Sequence, residues 1–215
     1  MVNLTHINKT KKAYSESENS LLFLGIFQDK KLNPQQRTLD DTLGNRLSAA
    51  MKLDGFIGKK EEQIHIFGNE VNKRVVLIGL GTQKNYTSDR ARSVASNITR
   101  FSTDVKNADF SVDGDSFALK KNIFAQAFAE GLVLGSYEFN DYKTKKDDSV
   151  KASSITMYGK VDAKSLDKGA ILGASVGFAR DLGNHPANIL TPTYLARTAQ
   201  KISDNSPKMN CQIFD

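Results

Sequence analysis

Residues 179–197 read ARDLGNHPANILTPTYLAR, and this stretch carries more information about the fold than any other part of the chain. Gly183 belongs to the residue type that closes helices in a left-handed conformation, so a helix is predicted to end just before it. His185 precedes a proline and is therefore predicted to be extended. Thr191 and Pro192 predict a helix start, because a hydroxyl caps the first turn and proline fits the first helical position. The stretch is typical of a junction between two domains.

Upstream of this junction, predicted strands alternate with predicted helices. Short apolar runs or alternating residues predict strands, and apolar residues at every third or fourth position predict helices. Strands are expected at 21–27, 64–66, 75–78, 108–112 and 154–158, and helices at about 39–50, 88–105, 121–135, 170–182 and 193–203. A further strand is expected to start at 211–214. This order predicts an α/β fold, a three-layer α/β/α sandwich.

Two details of this pattern are specific enough to test. In the strand at 64–66, His65 is predicted to face away from its two isoleucine neighbours. In the helix at 121–135, Phe124, Phe128 and Leu132 are predicted to form one buried stripe, with Gly131 and Gly135 allowing another backbone to approach closely.

The composition places the chain among globular proteins of the cytoplasm. Of its 215 residues, 39% are hydrophobic and 25% are charged, as in ordinary soluble domains. No apolar run approaches the ~20 residues of a membrane helix, and the first twelve residues, MVNLTHINKTKK, do not resemble a secretory signal. The single cysteine, Cys211, excludes an intrachain disulfide and suits a reducing compartment.

The net charge of +6 permits an acidic partner such as DNA, but the distribution of lysines favours an ordinary solvated surface. The basic residues occur in small scattered groups, at 9–12, 30–31, 59–60 and 143–146, and the last group is followed at once by Asp147 and Asp148. No basic run is interleaved with aromatic residues.

Three motifs in fixed order resemble those of the leucyl (cytosol) aminopeptidase family. They are KRVVLIGLG at 73–81, EGLVLGSYEF at 130–139 with Tyr142 and Lys143 after it, and DLGNHPANILTPTYLA at 181–196. Gly183 departs from the family, which usually has an aliphatic residue there. The resemblance implies a macro-like N-terminal α/β domain at 1–182, with a mixed central sheet and helices on both of its faces. It also implies an interdomain connector at 183–192 and the start of a truncated catalytic domain at 193–215.

The resemblance also implies a function for the parent protein. Members of the family are cytoplasmic homohexamers that remove N-terminal amino acids from peptides with two divalent metal ions, typically zinc, manganese or magnesium. The family's metal ligands and catalytic Lys and Arg lie in Asp-x-Gly-Gly and Asn-Thr-Asp-Ala-Glu-Gly-Arg motifs, and neither occurs in this sequence. The chain is therefore expected to hold no catalytic, cofactor or metal site, to be inactive alone, and to serve assembly and active-site access.

The alternative interpretation is a binding module for DNA or for a nucleotide such as ADP-ribose. Gly79-Leu80-Gly81 follows a predicted strand, where glycines can let a backbone cradle a phosphate. A tight turn is the favoured interpretation, because the segment lacks the third glycine of a dinucleotide site and the Gly-Lys-Ser/Thr of a phosphate loop.

The remaining polar candidates are interpreted as structural. The histidines, His6, His65 and His185, have no second ligand at a spacing typical of zinc sites. Adjacent carboxylates diverge in regular structure, so Asp40-Asp41 is assigned to a helix start rather than to acid–base chemistry. Cys211 is predicted to be a buried structural thiol, and packing at a helix end is expected for the aromatic residues Tyr137, Phe139 and Tyr142.

Overall fold

The computed structural model describes residues 6–14, 18, 20–144, 150 and 152–214, and of His6 only the backbone. The chain divides into two compact units, Met1–Gly177 and Phe178–Asp215. Within the described residues, no helix is both long enough and apolar enough to cross a bilayer.

The larger unit is built on a six-stranded mixed sheet. Its strands are β1 (His6–Thr10), β2 (Leu22–Ile26), β3 (Gln63–Phe67), β4 (Arg74–Gly79), β5 (Asp109–Asp113) and β6 (Ser154–Tyr158). They lie in the order β1-β6-β5-β2-β4-β3. All neighbours are parallel except β3, which pairs with β4 in the antiparallel sense. The predicted mixed α/β architecture is confirmed, whereas β1 was not predicted.

Helices connect these strands and continue beyond them. They are α1 (Pro34–Thr42), α2 (Arg46–Leu53), α3 (Ser88–Asp104), α4 (Asn122–Gly135), α5 (Ala163–Asn184) and α6 (Pro192–Asp204). Most begin at a recognisable cap. For example, Asn33 and Gln36 form a reciprocal capping box at the start of α1, and the Thr87 side chain accepts from the backbone N–H of Arg90 at the start of α3.

Hydrophobic cores lie on both faces of the sheet, because the central strands are apolar on both sides. In β2, Phe23 joins the core that contains α3 and α4, while Leu22 and Leu24 join the core that contains α1 and α2. In β4, Val76 and Leu77 divide in the same way. This alternation is that of a sheet covered on both faces, which makes β2 the centre of the domain.

The prediction of a single helix at 39–50 is wrong, because this segment is divided between two helices, α1 and α2. Gly44 and Asn45 both adopt a left-handed backbone, with φ of 65° and 61°. Asp40 therefore lies near the end of α1 rather than at its start. Its buried carboxylate accepts hydrogen bonds from the backbone N–H of Leu47 (2.8 Å) and Ser48 (3.3 Å), and so caps the first turn of α2.

Glycines on α4 and α5 allow a closely packed stack of helices. A Cβ at Gly131 would overlap the carbonyl oxygen of Arg92 on α3, and one at Gly169 on α5 would overlap the carbonyl oxygen of Gln126 on α4. The close approach predicted for Gly131 is thereby confirmed. Across the α3–α4 contact, the Arg92 guanidinium also lies 3.0 Å from the carboxylate of Glu130.

The smaller unit contains the end of α5, a connector and α6. The prediction that Gly183 closes the preceding helix is wrong: α5 continues to Asn184, and Gly183 is not among the described residues with positive φ. The strand expected at 211–214 is also absent from the described residues there, and Cys211 is only half-buried. The predicted start of α6 is confirmed, since the Thr191 side chain accepts from the N–H of Tyr194 and Pro192 is the first helical residue.

Candidate functional site

The glycine turn at the end of β4 is a structural turn. Its three backbone N–H groups are already used: Gly79 donates to Glu62 (2.8 Å), Leu80 to Ile26 (2.9 Å) and Gly81 to Gly58 (2.9 Å). A phosphate cradle needs such groups free to face the ligand. Gly81 has a φ of +75°, which explains why glycine is required there.

Ligands of open parallel sheets usually bind in the crevice at the carboxyl ends of the strands, where successive connections leave on opposite faces. Here that point lies between β2 and β5, and side chains of the protein fill it. The N–H of Gly25 donates to the hydroxyl of Ser116 (2.8 Å), and the amide of Gln36 donates to the carbonyl of Gly25 (3.2 Å). Phe117 is fully buried beside them. This arrangement gives no support to the alternative of a nucleotide-binding module.

A buried carboxylate lies at the end of β5. Asp113 is inaccessible to solvent, and its burial, together with the negative charge of Asp115, raises the pKa of its carboxyl group to about 6. The polar groups of Ser116, whose hydroxyl donates to the backbone carbonyl of Asp113 (2.7 Å), lower this pKa in part. Tyr14 lies beside it, and burial followed by the charge of Asp113 raises the pKa of the phenol above its ordinary value. No sequence pattern points to this pair, because Tyr14 and Asp113 are 99 positions apart and neither lies in a recognisable motif.

The histidines do not assemble into a site. His65 faces the opposite side of β3 from Ile64 and Ile66, as predicted, and its ring packs edge-on against Phe101 with the centroids 4.8 Å apart. Partial burial, and then the charge of Arg74, lower the pKa of this imidazole. In the smaller unit, the ring of His185 lies 5.8 Å from that of Tyr194. The side chain of His6 is outside the described residues.

The carboxylates and the cysteine also stay apart. Among the described residues, no group of three His, Cys, Asp or Glu side chains is placed to hold a metal ion. Asp147 and Asp148 fall outside the described part of the chain. Of the aromatic residues after α4, Phe139 and Tyr142 pack together with centroids 5.6 Å apart. The described residues thus do not fit a two-metal centre.

Comparisons with known proteins identify the family of the chain. The profile of the cytosol aminopeptidase family, N-terminal domain, matches residues 23–146. A probable cytosol aminopeptidase of a Sulfurihydrogenibium species is 30% identical over 206 residues, which cover 92% of this chain and 41% of the relative. That of Persephonella marina is 32% identical over 186 residues, covering 82% of this chain and 37% of the relative.

Solved structures agree with the sequence comparison. A tomato leucine aminopeptidase superimposes with a TM-score of 0.77 at 27% identity, covering 93% of this chain and 42% of that protein. A cytosol aminopeptidase of Coxiella burnetii shares the fold, with a TM-score of 0.61 at 18% identity, over 93% of this chain and 37% of its own. The chain spans less than half the length of these relatives. It belongs to the cytosol aminopeptidase family and contains the family's N-terminal domain.

Proposed function

We propose that this chain is the non-catalytic N-terminal part of a cytoplasmic aminopeptidase that removes N-terminal amino acids from peptides. The match of residues 23–146 to the family's N-terminal domain carries the proposal. The names of the relatives support the activity and the compartment. The domain boundaries that we propose are 1–182 for the N-terminal domain, 183–192 for the connector and 193–215 for the start of the next domain.

We further propose that the part of the protein outside this chain binds the metal ions. One relative with the same fold, the bottromycin maturation enzyme BotP, has been solved in complex with manganese. Two divalent ions, zinc, manganese or magnesium, would activate water and polarise the scissile carbonyl of a peptide. The described residues offer no ligand cluster for them. No catalytic role is therefore assigned to a residue of this chain.

The role proposed for this domain is assembly, into a homohexamer, and control of access to the active sites. The exposed side of α5 supports a role in contacts. The helix packs through Gly169 and Gly173 onto α4, while its apolar side chains Ile171 (66% exposed), Leu172 and Val176 remain in contact with solvent. Exposed apolar side chains that lie close together commonly mark an interaction surface.

The test compares this chain with the product of the complete coding sequence. Each is incubated with leucine p-nitroanilide and manganese, after host peptidases have been removed. The complete protein should release p-nitroaniline and should lose this activity in a chelator, while the 215-residue chain should release none. Metal-dependent turnover by the chain alone, or an inactive complete protein, would contradict the proposal.

A further inference from the structure

A cavity of about 680 Å³ opens between α1, α2 and the segment that follows α2. Its floor is apolar, with Leu32 and Phe56 buried and Met51 half-buried, while Ile57 is 39% exposed at its edge. Pockets of this size, about 300–1,000 Å³ with a mainly apolar lining, are typical of sites for small organic molecules. None of the residues that line the cavity is among those that fill the crevice at the ends of β2 and β5, and the proposed aminopeptidase function does not use it.

Three cationic side chains surround this floor: Lys31, Arg37 and Lys52. Within the described part of the chain, none of them forms an ion pair with a carboxylate. The carboxylate of Asp40, which also lines the cavity, instead accepts the backbone N–H groups at the start of α2. The positive charge around the cavity is thus not neutralised by an ion pair with any described residue.

The guanidinium of Arg37 is held in a defined position. Its Nε donates a hydrogen bond to the carbonyl oxygen of Leu32, at 3.0 Å, next to the apolar floor. This bond restricts the side chain and leaves the two terminal nitrogens to other acceptors. A planar guanidinium matches the two oxygens of a carboxylate, and the order imposed in advance reduces the entropy lost on binding.

We propose that this cavity binds a small organic acid with an apolar body. The carboxylate of the ligand pairs with Arg37, with Lys31 and Lys52 adding to the positive field, and its aliphatic or aromatic part covers Leu32, Met51 and Phe56. An acid without an apolar body would leave the apolar floor exposed to water, and an uncharged apolar molecule would form no ion pair with Arg37. The ligand therefore needs both a carboxylate and an apolar body.

The experiment uses a matched pair of probes, 4-phenylbutyrate and 4-phenylbutan-1-ol, titrated into the ¹⁵N-labelled 215-residue chain. The acid should shift the amide signals of Arg37, Met51 and Gly55 and should bind more tightly than the alcohol. In Arg37→Met, affinity for the acid should fall about tenfold or more, the usual effect of losing a hydrogen bond to a charged group, and affinity for the alcohol should stay the same. Lys160→Met, which changes a lysine in a different cavity, should bind both probes as wild type does.

Arg37→Met also removes the hydrogen bond to the carbonyl of Leu32, so a second variant tests the positive charge without changing this bond. The Lys52 ammonium has no hydrogen bond or ion pair to a described residue, so Lys52→Met should fold normally and weaken only the acid. Failure of the acid to bind wild type, equal binding of acid and alcohol, or shifts that map to another surface would each overturn the proposal. Full retention of acid binding in both variants would do the same.

Discussion

Replacement of Gly131 by alanine tests whether the α3–α4 contact depends on a backbone close approach. The new methyl group would overlap the carbonyl oxygen of Arg92 and would lie 2.9 Å from the Cβ of Ala95. Neither is the movable end of a long side chain, so the two helices must separate. Separation also strains two interactions across the same contact: the hydrogen bond from Thr99 Oγ1 to the carbonyl of Leu132 (3.0 Å) and the ion pair of Arg92 with Glu130.

Two opposing effects determine how much Gly131→Ala changes the free energy of unfolding. Alanine stabilises a helix interior by about 1 kcal/mol relative to glycine. Overpacking of a well-packed core costs about 1–3 kcal/mol, and more where the backbone has to move. Because the obstacle is backbone and both crossing interactions are weakened, the clash should exceed the helical gain. We expect Gly131→Ala to lower the free energy of unfolding by about 2 kcal/mol, an amount taken from these ranges.

The measurement is urea unfolding followed by far-ultraviolet circular dichroism, since the chain has no tryptophan. With a slope of about 2 kcal/mol per molar, the expected loss moves the midpoint down by about 1 M urea. Gly183→Ala is the matched control: it lies in α5 without positive φ, and an added Cβ would meet nothing within 4 Å. The control should leave the midpoint unchanged or raise it. A Gly131→Ala midpoint equal to or above that of wild type would refute the argument.

Three further outcomes are expected. Burial raises the pKa of Asp113 to about 6, so the carboxyl group of the folded protein binds a proton more tightly than that of the unfolded chain. The stability that this protonated carboxyl contributes is therefore complete below about pH 4 and is lost as the pH rises towards 6. Asp113→Asn should flatten the pH dependence of the urea midpoint over this interval, and an unchanged profile would count against the assignment. Phe128→Ala removes a fully buried ring that packs on Phe117 and should cost about 3–5 kcal/mol, so a wild-type midpoint would reject its place in the core. Replacing Pro186 and Pro192 together by alanine should change the thermal melt of the larger unit little, at about 0.4–1 kcal/mol per proline, whereas loss of the cooperative transition would show that the connector is part of the core.

The helices and strands that the sequence predicts well are those that bury regularly spaced apolar side chains. The continuous apolar residues of β2 and the regular apolar spacing of α3 reflect the core that each one joins, so periodicity alone locates them. Phe128 and Leu132 are fully buried as the spacing predicts, although Phe124 is only half-buried at the edge of the stripe. The family motif at 181–196 predicts a domain junction there, and it does so by resemblance and not by periodicity.

The elements that the sequence misses are those whose structure depends on distant residues. The sequence of β1, HINKT, has no apolar alternation, and it becomes a strand because β6 offers a free edge. Leu39, Leu43 and Leu47 all face one core, so their spacing does not reveal the break at Gly44 and Asn45. No pattern predicts the pair of Asp113 and Tyr14, which are far apart in sequence. Nor does a pattern predict the position of the Arg37 guanidinium, which depends on its hydrogen bond to the carbonyl of Leu32.

The position of β1 has a consequence for the order of events during synthesis. The hydrogen bond from Asn8 to Ser154 joins residues that are 146 positions apart, and no other strand of the sheet is available to pair with β1. β1 is translated long before its partner and cannot form this pairing until β6 has left the ribosome. Because the rest of the sheet needs only partners that are closer in sequence, it can form around β2 beforehand, and β1 completes it by closing a very long loop. Until that step, the growing domain exposes the open edge of β6 to any other extended chain nearby.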